Sequence, residues 1–227
     1  MRTNKLHLSI ILLSSLILAC GQNSKQPEAE STTAVKKDTS IKISSAKTIL
    51  FFGNSLTAGY GIDPSSAFPA IIQKKLDSLD IPYKTINAGV SGETTSGGLA
   101  RVDWILRQTP DVFVLELGAN DGLRGIPLSE TKKNLQAIIS RVKEKSPETK
   151  IILAGMMIPP NMGPQYTRDF QSIYPDLAKA NQVSLIPFIL EGVGGEPQLN
   201  QGDGIHPTEA GHRIVAENVW KVLQSAL

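Results

Sequence analysis

Five short apolar segments recur along residues 48–188, and Gly, Pro or Asn bounds each of them. Continuous apolar runs of this length are typical of strands that are buried on both faces of a parallel sheet. They cover residues 48–52, 83–88, 112–117, 150–154 and 183–188. The pattern therefore predicts five strands.

Other apolar residues recur at the three- and four-residue spacing of an amphipathic helix. Five such stripes contain Phe68, Ile71, Ile72, Leu76 and Leu79; Leu99, Val102 and Leu106; Leu135, Ile138, Ile139 and Val142; Phe170, Ile173 and Leu177; and Val215, Val219, Val222 and Leu223. Ser129 and Thr208 precede two of the stripes and are expected to cap those helices. Strands that alternate with helices predict an α/β fold, with a parallel sheet covered on both faces.

Polar residues directly after the strands are the candidates for chemistry. In an open parallel sheet, the ligand crevice lies beyond the carboxyl ends of the strands. Four segments meet this condition: residues 53–57, 87–92, 118–122 and 202–207. We therefore expect these segments to meet at one edge of the sheet.

Residues 1–19 have the basic start and apolar centre of an export signal. Arg2 and Lys5 precede an uncharged run that is too short to span a membrane. The run ends at Cys20, the only cysteine in the chain. This end resembles a bacterial lipoprotein signal, with Leu18 slightly atypical, and the resemblance implies cleavage before Cys20 and its acylation. The alternative is an ordinary signal peptide followed by a chance cysteine.

The rest of the chain divides into a polar segment and one domain. Residues 20–46 contain few large apolar residues and are expected to form a disordered tether. Residues 47–227 suit a single domain with a sizeable core. The net charge of +2 disappears with the signal, since loss of Arg2 and Lys5 takes 23 basic residues to 21, against 21 acidic residues. This balance gives no electrostatic footprint for nucleic acid.

Histidine is scarce: the chain has three, and His7 lies within the predicted signal. A neutral imidazole can take the proton of a serine hydroxyl near neutral pH. His206 is the candidate base, Ser55 the candidate nucleophile and Asp203 the acceptor that fixes the tautomer of the base. The remaining histidine, His212, is expected to be a surface or packing residue of the last helix.

The oxyanion of an acyl-transfer intermediate needs hydrogen-bond donors that are already in place. The backbone N–H groups of Ser55 and Gly89 and the side-chain amide of Asn120 are the candidates. Each residue also has a simpler interpretation when taken alone. Ser55 could be a helix N-cap, Asn120 part of a turn, Gly89 a point of backbone freedom and Asp203 a loop cap.

Taken together, the polar segments resemble the SGNH (GDSL-type) hydrolases, particularly the bacterial periplasmic thioesterase/lysophospholipase and arylesterase branch. The matching segments occur in the family's order at residues 53–60, 87–94, 116–125 and 203–207. The resemblance implies a three-layer α/β/α sandwich like that of flavodoxin, without a metal or an organic cofactor. It also implies that Ser55, Asp203 and His206 form the triad, and that Ser55, Gly89 and Asn120 form the oxyanion hole.

Two further details come from the same resemblance. Ile158 and Pro159 match a stretch that borders the acyl pocket in the bacterial branch. Asn54 stands where the family usually has Asp, directly before the nucleophile. An Asn side chain keeps an acceptor and nearly the same shape but lacks the charge, so we expect activity to persist.

The resemblance implies hydrolysis of carboxylic esters or thioesters through an acyl-enzyme. Aryl or short-chain esters, acyl thioesters and lysophospholipids are the expected substrates. The expected enzyme is a monomer held at the bacterial cell envelope, periplasmic or outer-membrane, by a lipid on Cys20. One alternative is a carbohydrate O-acetylesterase of the same superfamily. The other is a catalytically silent binding domain that keeps the fold.

Overall fold

The computed structural model describes residues 47–159 and 162–227. The predicted signal, Cys20 and the tether lie outside the described residues. Five strands form one parallel sheet in the order β2-β1-β3-β4-β5. They are β1 (Lys47–Gly53), β2 (Tyr83–Gly89), β3 (Val112–Glu116), β4 (Lys150–Ala154) and β5 (Ser184–Ile186).

Seven helices in the described residues cover the two faces of the sheet. They are α1 (Ser55–Ala58), α2 (Phe68–Ser78), α3 (Thr95–Ile105), α4 (Ala119–Leu123), α5 (Leu128–Lys145), α6 (Pro164–Asn181) and α7 (Glu209–Leu223). Helix α2 packs on α7, while α5 packs on both α3 and α6. The predicted three-layer α/β/α architecture is therefore confirmed.

The core is densest around the two central strands. Phe51, Phe52 and Phe113 are fully buried, and the Phe51 ring meets Phe68 of α2 edge-on at a centroid distance of 5.4 Å. Such aromatic contacts add to the free energy gained by removing apolar area from water. This packing fixes the carboxyl ends of β1 and β3, from which α1 and α4 begin.

The edge strands differ from the prediction that all five strands are buried. β2 pairs only with β1, and Ile86 within it is 36 % exposed. β5 is shorter than the predicted residues 183–188, because Pro187 has no N–H with which to continue the ladder. The chain turns there, and Gly155 N–H donates to Ile186 O at 2.7 Å.

The two predicted helix caps have different outcomes. Thr208 caps α7, since its side chain accepts a hydrogen bond from Gly211 N–H. Ser129 does not cap α5, so that prediction is wrong. The helix begins earlier, at Leu128, and Pro127 O accepts the N–H groups of Glu130 and Thr131 at 2.9 and 3.2 Å. Ser129 consequently lies inside the first turn.

Among the helices of residues 47–159 and 162–227, none combines the length and the apolar character needed to cross a bilayer.

Candidate active site

Three side chains form a continuous hydrogen-bonded chain at the carboxyl edge of the sheet. Ser55 Oγ lies 2.9 Å from His206 Nε2, and His206 Nδ1 lies 2.6 Å from Asp203 Oδ2. With the ring proton on Nδ1, the imidazole donates to Asp203 and accepts from the Ser55 hydroxyl. The structure thus brings the three predicted triad residues together, although they come from opposite ends of the domain.

Ser55 is held by a tight strand-to-helix turn. β1 ends at Gly53, and Asn54 caps α1 by accepting the Leu56 N–H on its side chain at 2.9 Å. The helix stops after four residues at Gly59, whose φ of 75° is in the left-handed region. Ser55 is therefore the first residue of α1 rather than its cap. Its N–H has no partner among the hydrogen bonds of the described residues.

The His206 loop is organised by Asp203. Asp203 Oδ1 accepts the N–H groups of Ile205 and His206, each at 3.0 Å, while Oδ2 faces the imidazole. The hydrogen bond from His206 and these two backbone donors lower the pKa of Asp203 to about 2. Asp203 therefore caps the loop and orients the base at the same time.

A second set of contacts links the His206 loop to the loop after α1. Gln201 Nε2 donates to Tyr60 O at 2.7 Å and to Pro207 O at 3.0 Å, and Gln201 N–H donates to His206 O at 2.7 Å. The Tyr60 ring packs against the imidazole at a centroid distance of 4.7 Å. Sequence reasoning missed both Gln201 and Tyr60, because neither residue type points to this role.

A buried carboxylate lies beneath the nucleophile. Glu116, at the end of β3, accepts hydrogen bonds from Asn54 N–H at 3.1 Å, from Asn54 Nδ2 at 2.7 Å and from Thr57 Oγ1 at 2.8 Å. Burial raises the pKa of Glu116 to about 7, and the hydrogen bonds from Thr57 and Asn54 oppose that rise. This residue was also missed, although an acidic residue within an apolar strand was a usable signal.

The predicted oxyanion donors do not all reach the same place. Asn120 lines the cavity beside Ser55, and one amide N–H of its side chain donates to Glu93 O at 2.9 Å. Neither Gly89 nor Gly92 is part of the cavity wall, and the Gly89 N–H already donates to Asn87 Oδ1 at 3.0 Å. A Cβ at Gly89 would lie 2.3 Å from Ala58 N. Its lack of a side chain thus serves close packing of β2 on α1.

Gly92 offers a backbone donor that sequence reasoning did not single out. It is exposed, its φ is +78°, and its N–H has no partner among the described residues. It precedes Glu93, whose carbonyl holds Asn120. Both Gly89 and Gly92 follow the apolar part of β2, so the sequence alone could not rank them.

An apolar cavity of about 380 Å³ opens beside Ser55 and His206. Ile158 and Pro159, which match the stretch beside the acyl pocket in the bacterial branch, lie in its wall. Among residues 123–128, only Leu123 contributes to the wall. The prediction missed the rest of the wall, which includes Met156, Met157, Phe188, Leu190, Gly194, Gly195, Asn200, Gly204 and Ile205.

His212 lies away from this site. It is 1 % exposed, and its Nδ1 accepts the Phe68 N–H at 3.2 Å. Burial lowers the pKa of His212 to about 4. It is therefore a packing residue and not a surface residue. Within residues 47–159 and 162–227, no group of three or more His, Cys, Asp and Glu side chains is arranged to hold a metal ion.

Comparison with known proteins matches the sequence to one family. Residues 51–214 match the GDSL-like lipase/acylhydrolase family. The chain is 39 % identical over 183 residues to the esterase TesA of Pseudomonas aeruginosa, which covers 80 % of this chain and 90 % of TesA. It is 40 % identical over 185 residues to the thioesterase 1/protease 1/lysophospholipase L1 of Escherichia coli, covering 81 % of this chain and 86 % of that protein.

The fold gives the same result. The crystal structure of TesA superposes with a TM-score of 0.77 at 39 % identity, covering 80 % of this chain and all of that chain. Sequence and structure agree over nearly the whole described domain. The chain belongs to the GDSL-like lipase/acylhydrolase family, as the resemblance to the SGNH hydrolases predicted.

Proposed function

We propose that this protein is a serine esterase that hydrolyses carboxylic esters or thioesters through an acyl-enzyme. The observation that carries the proposal is the chain of hydrogen bonds from Asp203 through His206 to Ser55, at 2.6 and 2.9 Å, beside an apolar cavity. A serine hydroxyl becomes a useful nucleophile only when a positioned base takes its proton. Here the base is in place before substrate binds.

The reaction proceeds in two acyl transfers. Ser55 Oγ attacks the carbonyl carbon while His206 Nε2 takes its proton, and the imidazolium is stabilised by Asp203. The imidazolium then protonates the departing alkoxide or thiolate, which leaves Ser55 acylated. Water attacks the acyl-enzyme with His206 again as base, and Ser55 recovers its proton as the carboxylic acid leaves.

The oxyanion formed in each transfer needs donors near Ser55. We assign the Ser55 N–H and the second amide N–H of Asn120 to this role, because the first amide N–H of Asn120 is already bonded to Glu93 O. For the third donor, we favour the Gly92 N–H over the predicted Gly89 N–H. The Gly89 N–H is occupied by Asn87, whereas the Gly92 N–H is unused.

The cavity favours an acyl group longer than acetyl. Its wall is mostly apolar, and Met156, Ile158 and Phe188 contribute to it. Most pockets that bury a small ligand in this way have volumes of roughly 300 to 1,000 Å³. An acetyl group would leave most of 380 Å³ unfilled, so the carbohydrate O-acetylesterase alternative is less well supported. The complete triad argues against a silent binding domain.

The membrane attachment remains part of the proposal. We infer that Cys20 is acylated and holds a monomeric enzyme at the periplasmic or outer-membrane face of the cell envelope. β1 begins at Lys47 and runs roughly 20 Å before reaching the site edge, so the chain enters the domain away from Ser55. Incorporation of a labelled fatty acid in a bacterial host, lost in Cys20→Ser, tests this attachment.

A fluorophosphonate probe tests the proposed chemistry directly. The protein should be labelled, and Ser55→Ala should not be labelled while its thermal unfolding is unchanged. A series of nitrophenyl esters of increasing chain length, run beside an acetylated polysaccharide, then separates the two ester substrates. A folded wild-type protein that resists the probe would favour the silent binding domain.

A further inference from the structure

A partly buried ion pair lies behind the oxyanion side of the site. Arg101 of α3 donates from Nε to Glu93 Oε1 at 2.6 Å and from Nη2 to Glu93 Oε2 at 2.5 Å. The two side chains are 21 % and 6 % exposed. The guanidinium also packs over the Phe52 ring, 4.0 Å from its centroid. Arg101 is thus fixed by both a two-point ion pair and a cation–π contact.

Each partner of this pair also holds a segment next to Ser55. Arg101 Nη2 donates to Ala88 O at 2.8 Å and lies 3.5 Å from Gly53 O. Gly53 directly precedes Asn54 and Ser55, and Ala88 precedes the loop that carries Gly92. Glu93 ends that loop, and its carbonyl accepts the Asn120 side chain at 2.9 Å. The ion pair therefore connects three of the segments that surround the nucleophile.

Stability alone does not explain such a pair. Replacement of a buried ion pair by apolar side chains of similar volume is often neutral or stabilising. Apolar side chains at these positions could not hydrogen-bond the Ala88 carbonyl or fix Glu93, and so could not hold the loop at both ends. The charged side chains of Arg101 and Glu93 are therefore better explained by their positioning of the loop than by their packing.

We propose that Arg101 and Glu93 are positioning residues for the oxyanion hole. They hold the loop of residues 90–93 and the Asn120 amide where the charge of the tetrahedral intermediate develops. They touch neither substrate nor the reacting atoms. This inference rests on the proposed serine esterase function, and it concerns the rate of acyl transfer rather than the binding of substrate.

The test compares Arg101→Met, Arg101→Lys and Glu93→Gln with the wild type. A misplaced oxyanion donor costs less than a deleted one, so kcat should fall about 10- to 100-fold in Arg101→Met while KM stays within about 2-fold. Arg101→Lys keeps the charge but not the fork, and it should lie between Arg101→Met and the wild type. Arg141→Met is the matched control, because Arg141 forms an exposed ion pair with Asp103 on the outside of α3.

A second readout separates positioning from a general loss of structure. An alkyl boronic acid mimics the tetrahedral intermediate, whereas the free fatty acid product does not. The boronate affinity of Arg101→Met should fall by the same factor as kcat/KM, with the affinity for the fatty acid unchanged. A folded Arg101→Met protein with wild-type kcat and boronate affinity overturns the proposal.

If Arg101→Met does not fold, Arg101→Lys serves as the test of the positioning role. A fall in kcat of about 5-fold or more at constant KM supports positioning, and an unchanged kcat overturns it. Failure of the proposed function would look different, because the wild-type protein would then hydrolyse none of the esters. Thermal unfolding of each variant shows whether the comparison is made between folded proteins.

Discussion

Asn54 Nδ2 donates a hydrogen bond to Glu116 Oε1 at 2.7 Å, and both groups are buried directly beneath Ser55. The Asn54 amide can donate only because it is not the Asp that the family usually carries there. With an amide at residue 54, Glu116 can ionise and still find three donors. With Asp at residue 54, two carboxyl groups would meet and one would keep its proton.

Asn54→Asp should therefore change how stability depends on pH, with activity retained. The pKa of Glu116 is already raised by burial to about 7, from an ordinary value of 4.5. A raised acid pKa means that the folded state binds more protons than the unfolded state, so stability falls as pH rises through that window. In Asn54→Asp, the pH range over which stability falls should extend to higher pH. The thermal unfolding midpoint of the variant should therefore drop more steeply than that of the wild type between pH 6 and 9.

The double variant Asn54→Asp/Glu116→Gln is the control. It places the carboxyl at residue 54 and the amide at residue 116, so one side chain again donates to the other. The steep fall of the unfolding midpoint with pH should therefore disappear. Parallel pH profiles for Asn54→Asp and the wild type would show that the two side chains are not coupled.

His212 should destabilise the protein in acid, so its effect on stability has the opposite pH dependence to that of Glu116. Burial lowers its pKa to about 4 from 6.5, so between these values the unfolded state binds a proton that the folded state does not. Stability then falls as pH falls from 6.5 towards 4, by about 3 kcal/mol at the lower end. His212→Gln, which keeps an acceptor for Phe68 N–H, should flatten this part of the profile, as measured by urea unfolding.

Ser55→Ala provides the comparison for His212, since it leaves the buried imidazole in place and should keep the wild-type slope. Equal slopes in His212→Gln and the wild type between pH 4 and 6.5 would mean that the buried imidazole does not carry the acid sensitivity.

Asn120→Ala should lower the rate far more than it weakens binding. The side chain lines the cavity at Ser55 and supplies one of the proposed oxyanion donors. Removal of one such donor typically lowers kcat about 10² to 10³ fold, and KM should change little. Steady-state kinetics with a nitrophenyl ester measures both, and Asn181→Ala on α6 is the control. A raised KM with an unchanged kcat would assign Asn120 to substrate binding instead.

The central strands and the triad could be predicted because each is marked by residue type. Continuous apolar runs identify β1, β3 and β4, and a scarce histidine three residues after an Asp identifies the base. The edge position of β2 could not be predicted, since pairing order is set by how the helices pack and not by the composition of the strand.

The oxyanion donors are harder to predict for a physical reason. A backbone N–H leaves no mark in the sequence, and its availability depends on which acceptor it meets after folding. The resemblance implies Gly89, but only the structure shows that Asn87 occupies the Gly89 N–H and that the Gly92 N–H is unused. The same holds for Glu93, whose carbonyl, not its carboxylate, holds Asn120.

The wall of the cavity offers a prediction about acyl chain length. A Cβ at Gly194 would lie 3.1 Å from Phe188 Cζ, and Gly194 does not have a positive φ. A larger side chain there requires Phe188 to move by a few tenths of an ångström. Because Phe188 and Leu190 both line the cavity, that side chain would fill part of the cavity. Each methylene that can no longer be buried costs about 0.8 kcal/mol, or about 4-fold in kcat/KM.

Gly194→Leu should thus lower kcat/KM for long acyl esters progressively while leaving butyrate esters nearly unchanged. The measurement is kcat/KM across nitrophenyl esters from four to sixteen carbons, expressed as a ratio to the wild type. Ala180→Leu is the control, because Ala180 is exposed on α6 and lies outside the cavity wall. A uniform loss at every chain length would place the acyl group elsewhere, since only a shortened cavity can penalise long chains selectively.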